Sequence, residues 1–423
     1  MVRILIISDI HLWSLPDEHD EFYKMRRELM KDIADYTDVQ GPIQHILISG
    51  DIANTGAKSE YEKATTFIKE LCNNCKCPEH EVYIVPGNHD KNFYEEGSGI
   101  RHLVHAGMSC DSIDTDKEWH DLLKHDVESA QLLYRPFKDY YSFASSFDSI
   151  EPMMAKCLEY PNVPFDSKEH NMVMHYSLSN VGEYQINLYG MNTALTSDWY
   201  DINDEGKGHK LYLPKLAYNK YVEKEGQINI LMMHHPMDRV KNGDEIKDIL
   251  DKNYQIQIFG HLHIPASDCN SSINAIHILS GAFQPPKEGS ETDYYSVYNI
   301  LELETASEAG EDILKTQLLV EKYNKDTFKH HYTECKPFQI KLKKKHQNRW
   351  QNKMEEVKEN NLPQGISKRE IRFAFLRSPQ NVQIMKGFGQ YDEQRSNSAN
   401  AVSFLNWIDD NNKMIELWNK LRK

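Results

Sequence analysis

Val2-Arg3-Ile4-Leu5-Ile6-Ile7-Ser8-Asp9-Ile10-His11 opens the chain with an apolar, β-branched run that breaks into Asp-x-His. Further on, Ile46 to Ile48 leads into Gly50-Asp51, and Val82 to Val85 into Gly87-Asn88-His89-Asp90. Ile228 to Met233 leads into His234-His235-Pro236, and Ile256 to Phe259 into Gly260-His261-Leu262-His263. Short β-rich runs that end in turn residues read as buried strands, so the Asp, Asn and His side chains sit on loops leaving one edge of a sheet. Open α/β sheets carry their chemistry there.

The residue types narrow that chemistry. Carboxylate and amide oxygens with neutral imidazoles, and no nearby cysteine, suit hard or borderline divalent cations. Seven candidate ligands, Asp9, His11, Asp51, Asn88, His234, His261 and His263, are too many for one tetrahedral site. Two ions roughly 3.5–4 Å apart that share a carboxylate would use them all. Such a pair lowers the pKa of a bound water, supplies hydroxide at neutral pH and clamps phosphoryl oxygens during in-line displacement, which favours hydrolysis of a phosphate ester. Asp-x-His or His-x-His alone is a common pattern of solvated loops. Five motifs in order, each behind an apolar run, are not.

The order Asp-x-His, Gly-Asp, Gly-Asn-His-Asp, His-x-Pro, Gly-His-x-His resembles the calcineurin-like metallophosphoesterase family over roughly residues 1 to 300. The resemblance implies an α/β fold of two packed mixed β-sheets flanked by helices, the αββα arrangement, with a dinuclear site at the strand ends. It places Asp9, His11, Asp51 and His263 on one ion and Asp51, Asn88, His234 and His261 on the other, with Asp51 as the bridge. It makes His89 a proton donor or transition-state stabiliser beside the leaving group, and Asp90 the residue that orients it, since a catalytic imidazole needs a partner to fix its tautomer. Many family members read Gly-Asp-x-x-Asp or Gly-Asp-x-x-Glu, whereas this chain has Asn54 at the last position. That departure bears on hydrogen bonding around the ligands, since the bridging Asp is kept. Asn54 and His235 are the candidate substrate contacts; for His235 a solvated loop position is the alternative.

At 423 residues the chain has room for a large α/β domain and a smaller appendage. No run approaches a membrane span, and the opening leads straight into a strand without signal-peptide architecture, so a soluble, cytoplasmic protein with no membrane partner is expected. Seven cysteines, an odd count, argue for reduced thiols over a disulfide framework. Cys72, Cys75, Cys77 and His80 form a cramped Cys-x2-Cys-x-Cys-x2-His pattern between a helix over Lys58 to Leu71 and the strand at Val82. It reads either as a structural zinc site or as a loop of free thiols.

Charge is uneven. The chain carries −15, but residues 336 to 423 hold 18 Lys and Arg against 9 Asp and Glu, a local +9 that leaves −24 for residues 1 to 335. A strongly acidic body does not bind long duplexes nonspecifically. The densest basic piece, Lys341-Leu342-Lys343-Lys344-Lys345 with Arg349, Trp350 and Lys353, suits a nucleic-acid contact, docking on the acidic body, or a plain solvated face.

The expected organisation is a phosphoesterase domain over residues 1–335 and a basic, mostly helical module over 336–423. Residues 91–164 read as a helical cap insertion, with Trp119, Leu122, Leu123, Val127 and Leu132 at helical spacing, and His102, His105, His120 and His125 read either as substrate contacts or as plain surface residues. Strand-like alternation resumes at Met172 to Tyr176 and Gln185 to Tyr189. Strands near Ile276 to Leu279 and Tyr294 to Leu303 are expected to complete that second sheet. Ser367-Lys368-Arg369-Glu370 is a capping box ahead of a helix that Pro379 stops, and helices follow at Ala401 to Ile408 and Lys413 to Leu421. These resemble the death-like adaptor modules appended to effectors in bacterial conflict systems, which implies a protein partner.

The expected activity is a phosphoesterase with two divalent metal ions, manganese favoured over iron, zinc or cobalt, acting as a phosphodiesterase on a nucleotide or nucleic acid. The alternatives are a phosphomonoesterase, a nuclease effector of a bacterial defence system recruited through its C-terminal helices, and a noncatalytic scaffold.

Overall fold

Alternation along the first strand, β1 (Val2–Ile7), serves two cores at once. Ile4 and Ile6 pack into one apolar cluster, Leu5 and Ile7 into another, as period-2 side-chain geometry requires of a strand buried on both faces. The computed structural model describes residues 1–14, 19–92, 117, 134–147, 173–197, 211–218, 222, 224–241, 243–270, 274–285, 295–324, 326–330, 335–344, 366, 368–393 and 397–422.

After β1 come α1 (Tyr23–Gln40), β2 (His45–Ser49), α2 (Lys58–Cys75), β3 (Val82–Val85), α3 (Lys138–Ala144), β4 (Val173–Val181), β5 (Tyr184–Met191), α4 (Lys215–Tyr218), β6 (Gln227–Met233), α5 (Gly243–Asn253) and β7 (Ile256–Phe259). Then follow β8 (Ala266–Asn270), β9 (Ala275–Leu279), β10 (Val297–Glu308), β11 (Glu311–Asn324), β12 (Thr327–His330) and β13 (Lys336–Lys341). The C-terminal helices are α6 (Lys368–Arg377), α7 (Asn381–Gly387), α8 (Asn397–Asp410) and α9 (Met414–Leu421).

One sheet runs β12-β11-β10-β1-β2-β3, with β13 also on β11; the other runs β4-β5-β6-β7-β9-β8. Both are mixed: β1, β2 and β3 are mutually parallel while β10 is antiparallel to β1, and β5, β6, β7 and β9 are parallel between antiparallel edge strands. The inner faces meet through Ile4, Ile6, Leu47, Val85, Ile186, Ile230, Ile258 and Leu301. On the outer face of the first sheet lie α1, α2 and α3, through Leu29, Ile33, Ile68, Leu71 and Tyr140, and on that of the second lies α5, through Ile246 and Leu250. The result is the expected α/β fold of two mixed sheets with helices outside. The C-terminal helices enclose a core of their own, centred on Ile371, Phe375, Phe404, Ile408 and Leu417.

Four expectations change. The strand expected at Tyr294 to Leu303 begins at Val297 and joins the first sheet, pairing Val2 with Leu303 and Ile6 with Asn299. β13 pairs with Ile313 to Leu318, so residues 336–341 belong to the first sheet and the described helices start after them. α2 runs on through Cys75, which puts Cys72 and Cys75 on its buried face with Leu71 and Ile68. The C-terminal module has four helices among the described residues, α7 being the one without a sequence signal. Ser367 and most of the 91–164 insertion, including its four histidines and the apolar residues from Trp119 to Leu132, lie outside the described residues; its residues 134–147 are described and carry α3. No described helix is long and apolar enough to cross a membrane.

Candidate metal centre

Parallel strands β1, β2 and β3 deliver Asp9 and His11, Asp51, and Asn88 and His89 to one end of the first sheet. At the same end of the second, β6 delivers His234 and His235, and β7 delivers His261 and His263. Backbone bonds knit the loops together: Asp9 N–H to Gly50 O, Ile10 and His11 N–H to Asp51 O, Gly260 N–H to His234 O, and Gln284 N–H to Asp9 O, all within 2.8–3.1 Å. Nine described non-glycine residues have positive φ, and five of them are Asp9, His11, Asp51, His261 and His263. Such backbone is uncommon for bulky residues and persists only where the surroundings enforce it. Gly87 is needed for a different reason: a Cβ there would lie 2.1 Å from Asp51 Oδ1.

Asp51 lies between two sets of donors. Its Oδ2 is 3.2 Å from His234 Nε2 and 3.9 Å from His11 Nε2. Asp9 Oδ1, fully buried, is 3.2 Å from His263 Nε2 and 3.9 Å from His11 Nε2. Asn88 Oδ1 is 3.1 Å from the Nε2 atoms of His234 and of His235. Donor atoms of Asp9, His11 and His263 fall within 4.8 Å of one another, as do those of Asp9, Asp51 and His234, and those of His234, His235 and His261. Donors about 2.1 Å from a common cation stand about 3 Å apart when adjacent and about 4.2 Å when opposite, so this spacing fits divalent ions.

The charge balance fits as well. Burial alone would raise Asp9 and Asp51, but the imidazoles of His263 and His234 hold Asp9 at about 2, and His234 and His89 hold Asp51 well below the carboxylate range. Burial would lower His234, yet Asp51 and Asp9 push it up to about 9. Buried acids that already draw one positive charge into their midst are suited to a cation. Burial and neighbouring imidazoles depress His261 and His11, keeping them neutral as metal ligation requires. His234 Nδ1 donates to Ser49 O at 2.8 Å, and Ser8 Oγ donates to Asp9 Oδ2 at 2.6 Å, which fixes a nitrogen and an oxygen of the set.

His89 stands at the rim of this cage, its ring 4.6 Å from that of His11. Its backbone N–H donates to Asp51 Oδ1 at 2.8 Å, and its Nδ1 donates to the carbonyl of Asn54 at 2.8 Å. Asp90 is therefore not the residue that orients it. The Asp90 carboxylate accepts the N–H groups of Ile52, Ala53 and Gly87 and the Tyr61 hydroxyl, so it shapes the Asp51 loop instead. Burial and the Asp51 charge push Asp90 up to about 7, against those amides. Asn54 meets His89 through its backbone carbonyl. His235 is 1 % exposed, which rules out a solvated loop position.

Several contributors carry no sequence signal. Gln284 accepts from Arg26 at 2.7 Å and donates to the carbonyls of Ile10 and, at 3.1 Å, His11, while Asp20 pairs with Arg26 and Lys63. The buried Lys91 Nζ donates to Leu195 O and Ser197 O, tying down the loop that carries Thr193. Trp13, 45 % exposed, stands two residues after His11, and Ile264, 49 % exposed, directly follows His263; they are two of five large apolar side chains left open to solvent among the described residues.

Cys72, Cys75, Cys77 and His80 do not come together as a metal cluster among the described residues. The three thiols are buried, burial pushes them up, and the His80 ring lies against Phe373. In the basic piece, Lys341 pairs with Glu311 and Lys344 with Asp312, and Leu342 is buried. Lys345, Arg349, Trp350 and Lys353 lie outside the described residues.

A model of the calcineurin-like phosphoesterase family matches residues 2–265. No curated protein sequence matches the chain. Among solved structures, vacuolar protein sorting 29 from Cryptosporidium parvum is similar at 10% identity and TM-score 0.33, covering 80% of this chain and 98% of its own. A predicted phosphoesterase from Streptococcus pneumoniae TIGR4 is similar at 12% identity and TM-score 0.29, covering 80% and 97%. Wild-type Vps29 complexed with zinc from Entamoeba histolytica is similar at 9% identity and TM-score 0.30, covering 80% and 99%.

Proposed function

Because this chain belongs to the calcineurin-like phosphoesterase family, we propose that it is a dinuclear metal-dependent phosphodiesterase acting on a nucleotide or nucleic acid. Asp9, His11, Asp51 and His263 hold one divalent cation, and Asp51, Asn88, His234 and His261 the other. The observation that carries this reading is the place of the Asp51 carboxylate, 3.2 Å from His234 Nε2 on one side and 3.9 Å from His11 Nε2 on the other. Bound there, two divalent cations supply Lewis acidity to activate water and offset the charge that builds on the phosphoryl oxygens, manganese suiting such oxygen and imidazole donors.

His89 supplies the proton. The Asn54 carbonyl keeps one proton on Nδ1 and sets the ring plane, so Nε2 carries the second proton of the imidazolium and gives it to the leaving-group oxygen, leaving a neutral ring. The His89 N–H on Asp51 Oδ1 locks this acid and the bridging carboxylate into one loop, holding their spacing fixed while substrate binds. Trp13 and Ile264, half-exposed beside ligands of the first cation, offer an apolar rim to the organic group of a diester, and an aromatic face suits a nucleobase. That rim supports a diester over a monoester. The first lysines of the basic tail face acidic residues of the body, which supports a nucleotide or short strand over a long duplex.

The test is a turnover screen with manganese supplied and then chelated, over bis-p-nitrophenyl phosphate, p-nitrophenyl phosphate, cyclic nucleotides, dinucleotides, and single-stranded and duplex DNA and RNA. Faster turnover of the diester and of at least one nucleotide substrate is expected. Preference for p-nitrophenyl phosphate would make it a phosphomonoesterase, and no metal-dependent turnover on any substrate would make it a scaffold.

A further inference from the structure

His234 and His235 are adjacent in sequence and both fully buried, and their surroundings follow one pattern. His234 directs Nδ1 to a protein oxygen, Ser49 O at 2.8 Å, and Nε2 to Asn88 Oδ1 at 3.1 Å. His235 directs Nδ1 to a protein oxygen, Thr193 Oγ1 at 2.9 Å, and Nε2 to the same Asn88 Oδ1, again at 3.1 Å. Their rings cross at 85° with centroids 4.7 Å apart, and the His261 ring lies 4.6 Å from that of His235. Three imidazole nitrogens therefore converge from different directions, with donor atoms inside 4.8 Å.

We infer that His235 is a further ligand, through Nε2, of the cation held by Asp51, Asn88, His234 and His261. Histidines that bind metals give their other ring N–H to an oxygen, which fixes the tautomer and leaves a lone pair for the ion. Thr193 is placed to take that proton: a hydroxyl oxygen has two acceptor sites, and Thr193 Oγ1 receives the His235 backbone N–H at 3.1 Å and the ring Nδ1–H. With the proton there, Nε2 and Asn88 Oδ1 are two acceptors facing each other at the separation of neighbouring ligands on one cation. The Thr193 loop is itself anchored, since Lys91 binds the carbonyls of Leu195 and Ser197 at 2.9 and 2.6 Å. Lys91 follows the Gly-Asn-His-Asp motif directly, so one short stretch delivers Asn88 and also fixes the support of His235. A fifth protein ligand would make this cation the more protein-enclosed of the two.

This assignment rests on the dinuclear reading, and the experiment separates the two. Full-length protein with 15N-labelled histidine is loaded with 113Cd2+, and cations per chain are counted for the wild type, His235→Ala and Thr193→Val. The wild type is expected to hold two cations and to show 113Cd–15N coupling at His235 Nε2. His235→Ala should hold one cation tightly and lose the other on dialysis, and Thr193→Val should weaken the second cation about 10–100-fold while leaving the first unchanged. A proton found on His235 Nε2 in the loaded wild type, or two cations at undiminished affinity in His235→Ala, would overturn it. The coupling is read on unmutated protein, so a poorly folded variant leaves the result decisive. A wild type that takes up no second cation would overturn the dinuclear reading, and this assignment with it.

Discussion

The residues that concentrate charge in this site also concentrate backbone strain. Asp9, His11, Asp51, His261 and His263 each hold positive φ, at a cost on the order of 1–3 kcal/mol apiece, which the stitched loop backbones must sustain. Cations that bind only the folded chain offset such costs by mass action. Asp51 is the most exacting position, since its carboxylate faces both donor sets and no neutral side chain can hold two cations close together. Asp51→Asn should bind neither cation at full occupancy and lose turnover; elemental analysis showing two cations per chain in that variant would refute the bridge. His89 should behave differently. Its Nδ1 is taken by Asn54 O, and it contributes through proton transfer, so His89→Ala should keep both cations and lose turnover by about 10²–10⁴-fold. A substrate whose leaving group needs no protonation should recover part of that loss. Because the donors of His11, Asp51 and His89 also fall within 4.8 Å of one another, a fall in metal content in this variant would instead make His89 a ligand.

Elements away from the site brace the second sheet. Asp251, at the end of α5, accepts from His277 Nε2 on β9 at 2.7 Å, Lys247 Nζ at 2.6 Å and Gln257 Nε2 on β7 at 2.7 Å, joining a helix to two strands. Burial would raise Asp251, but the bonds from His277 and Lys247 outweigh it and hold the carboxyl at about 2. A carboxyl depressed by folding stabilises the native state above its ordinary pKa near 3.8 and loses that contribution as pH falls toward 2. Asp251→Asn should therefore cost about 1–3 kcal/mol at neutral pH, lose less stability than wild type between pH 4 and 2, and leave metal content unchanged, as denaturation midpoints across pH would show. The strands that carry ligands were legible in the sequence because each is an apolar run ending in a distinctive motif, a local signal. Pairing partners are not local. Nothing in Val297 to Leu303 says that it lies beside β1 and not in the second sheet, and Lys336 to Lys341 reads as part of a basic tail because Phe338 and Ile340 alternate with polar residues on an edge strand. Thr193, Lys91 and Gln284 were hidden for the same reason: each matters through a contact with residues far away in the chain. Asp90 was misread because motif adjacency suggested His89 as its partner, whereas the loop's unpaired amides claimed it first.

Across the whole molecule, an acidic body carries a basic helical module that docks away from the candidate metal centre. Arg369 stacks over Tyr83 at 3.9 Å and Tyr176 at 4.6 Å, and Arg377 pairs with Glu79 at 3.0 Å and donates to Ser146 O. Tyr83 and Glu79 lie at the start of β3, whereas Asn88 follows its end, so the module sits at the opposite end of the sheet from the metal centre. Removing the helices alone should be tolerated. A chain ending at Lys344 should fold, bind two cations and hydrolyse a small activated diester at a near-normal rate, with unchanged salt dependence of polynucleotide binding. One ending at Cys335 also loses Ile340 and Leu342 from the core between the sheets, about 3–6 kcal/mol of apolar burial, and should melt far lower. A shallower salt slope in the longer truncated chain would show that the module contacts phosphates after all. The most direct test of the dinuclear reading strips the intact protein of metal and titrates it with Mn2+ while recording bis-p-nitrophenyl phosphate hydrolysis. Turnover should be absent without metal and reach its plateau at two cations per chain, whereas undiminished turnover in the stripped protein, or a plateau at one cation, would contradict it.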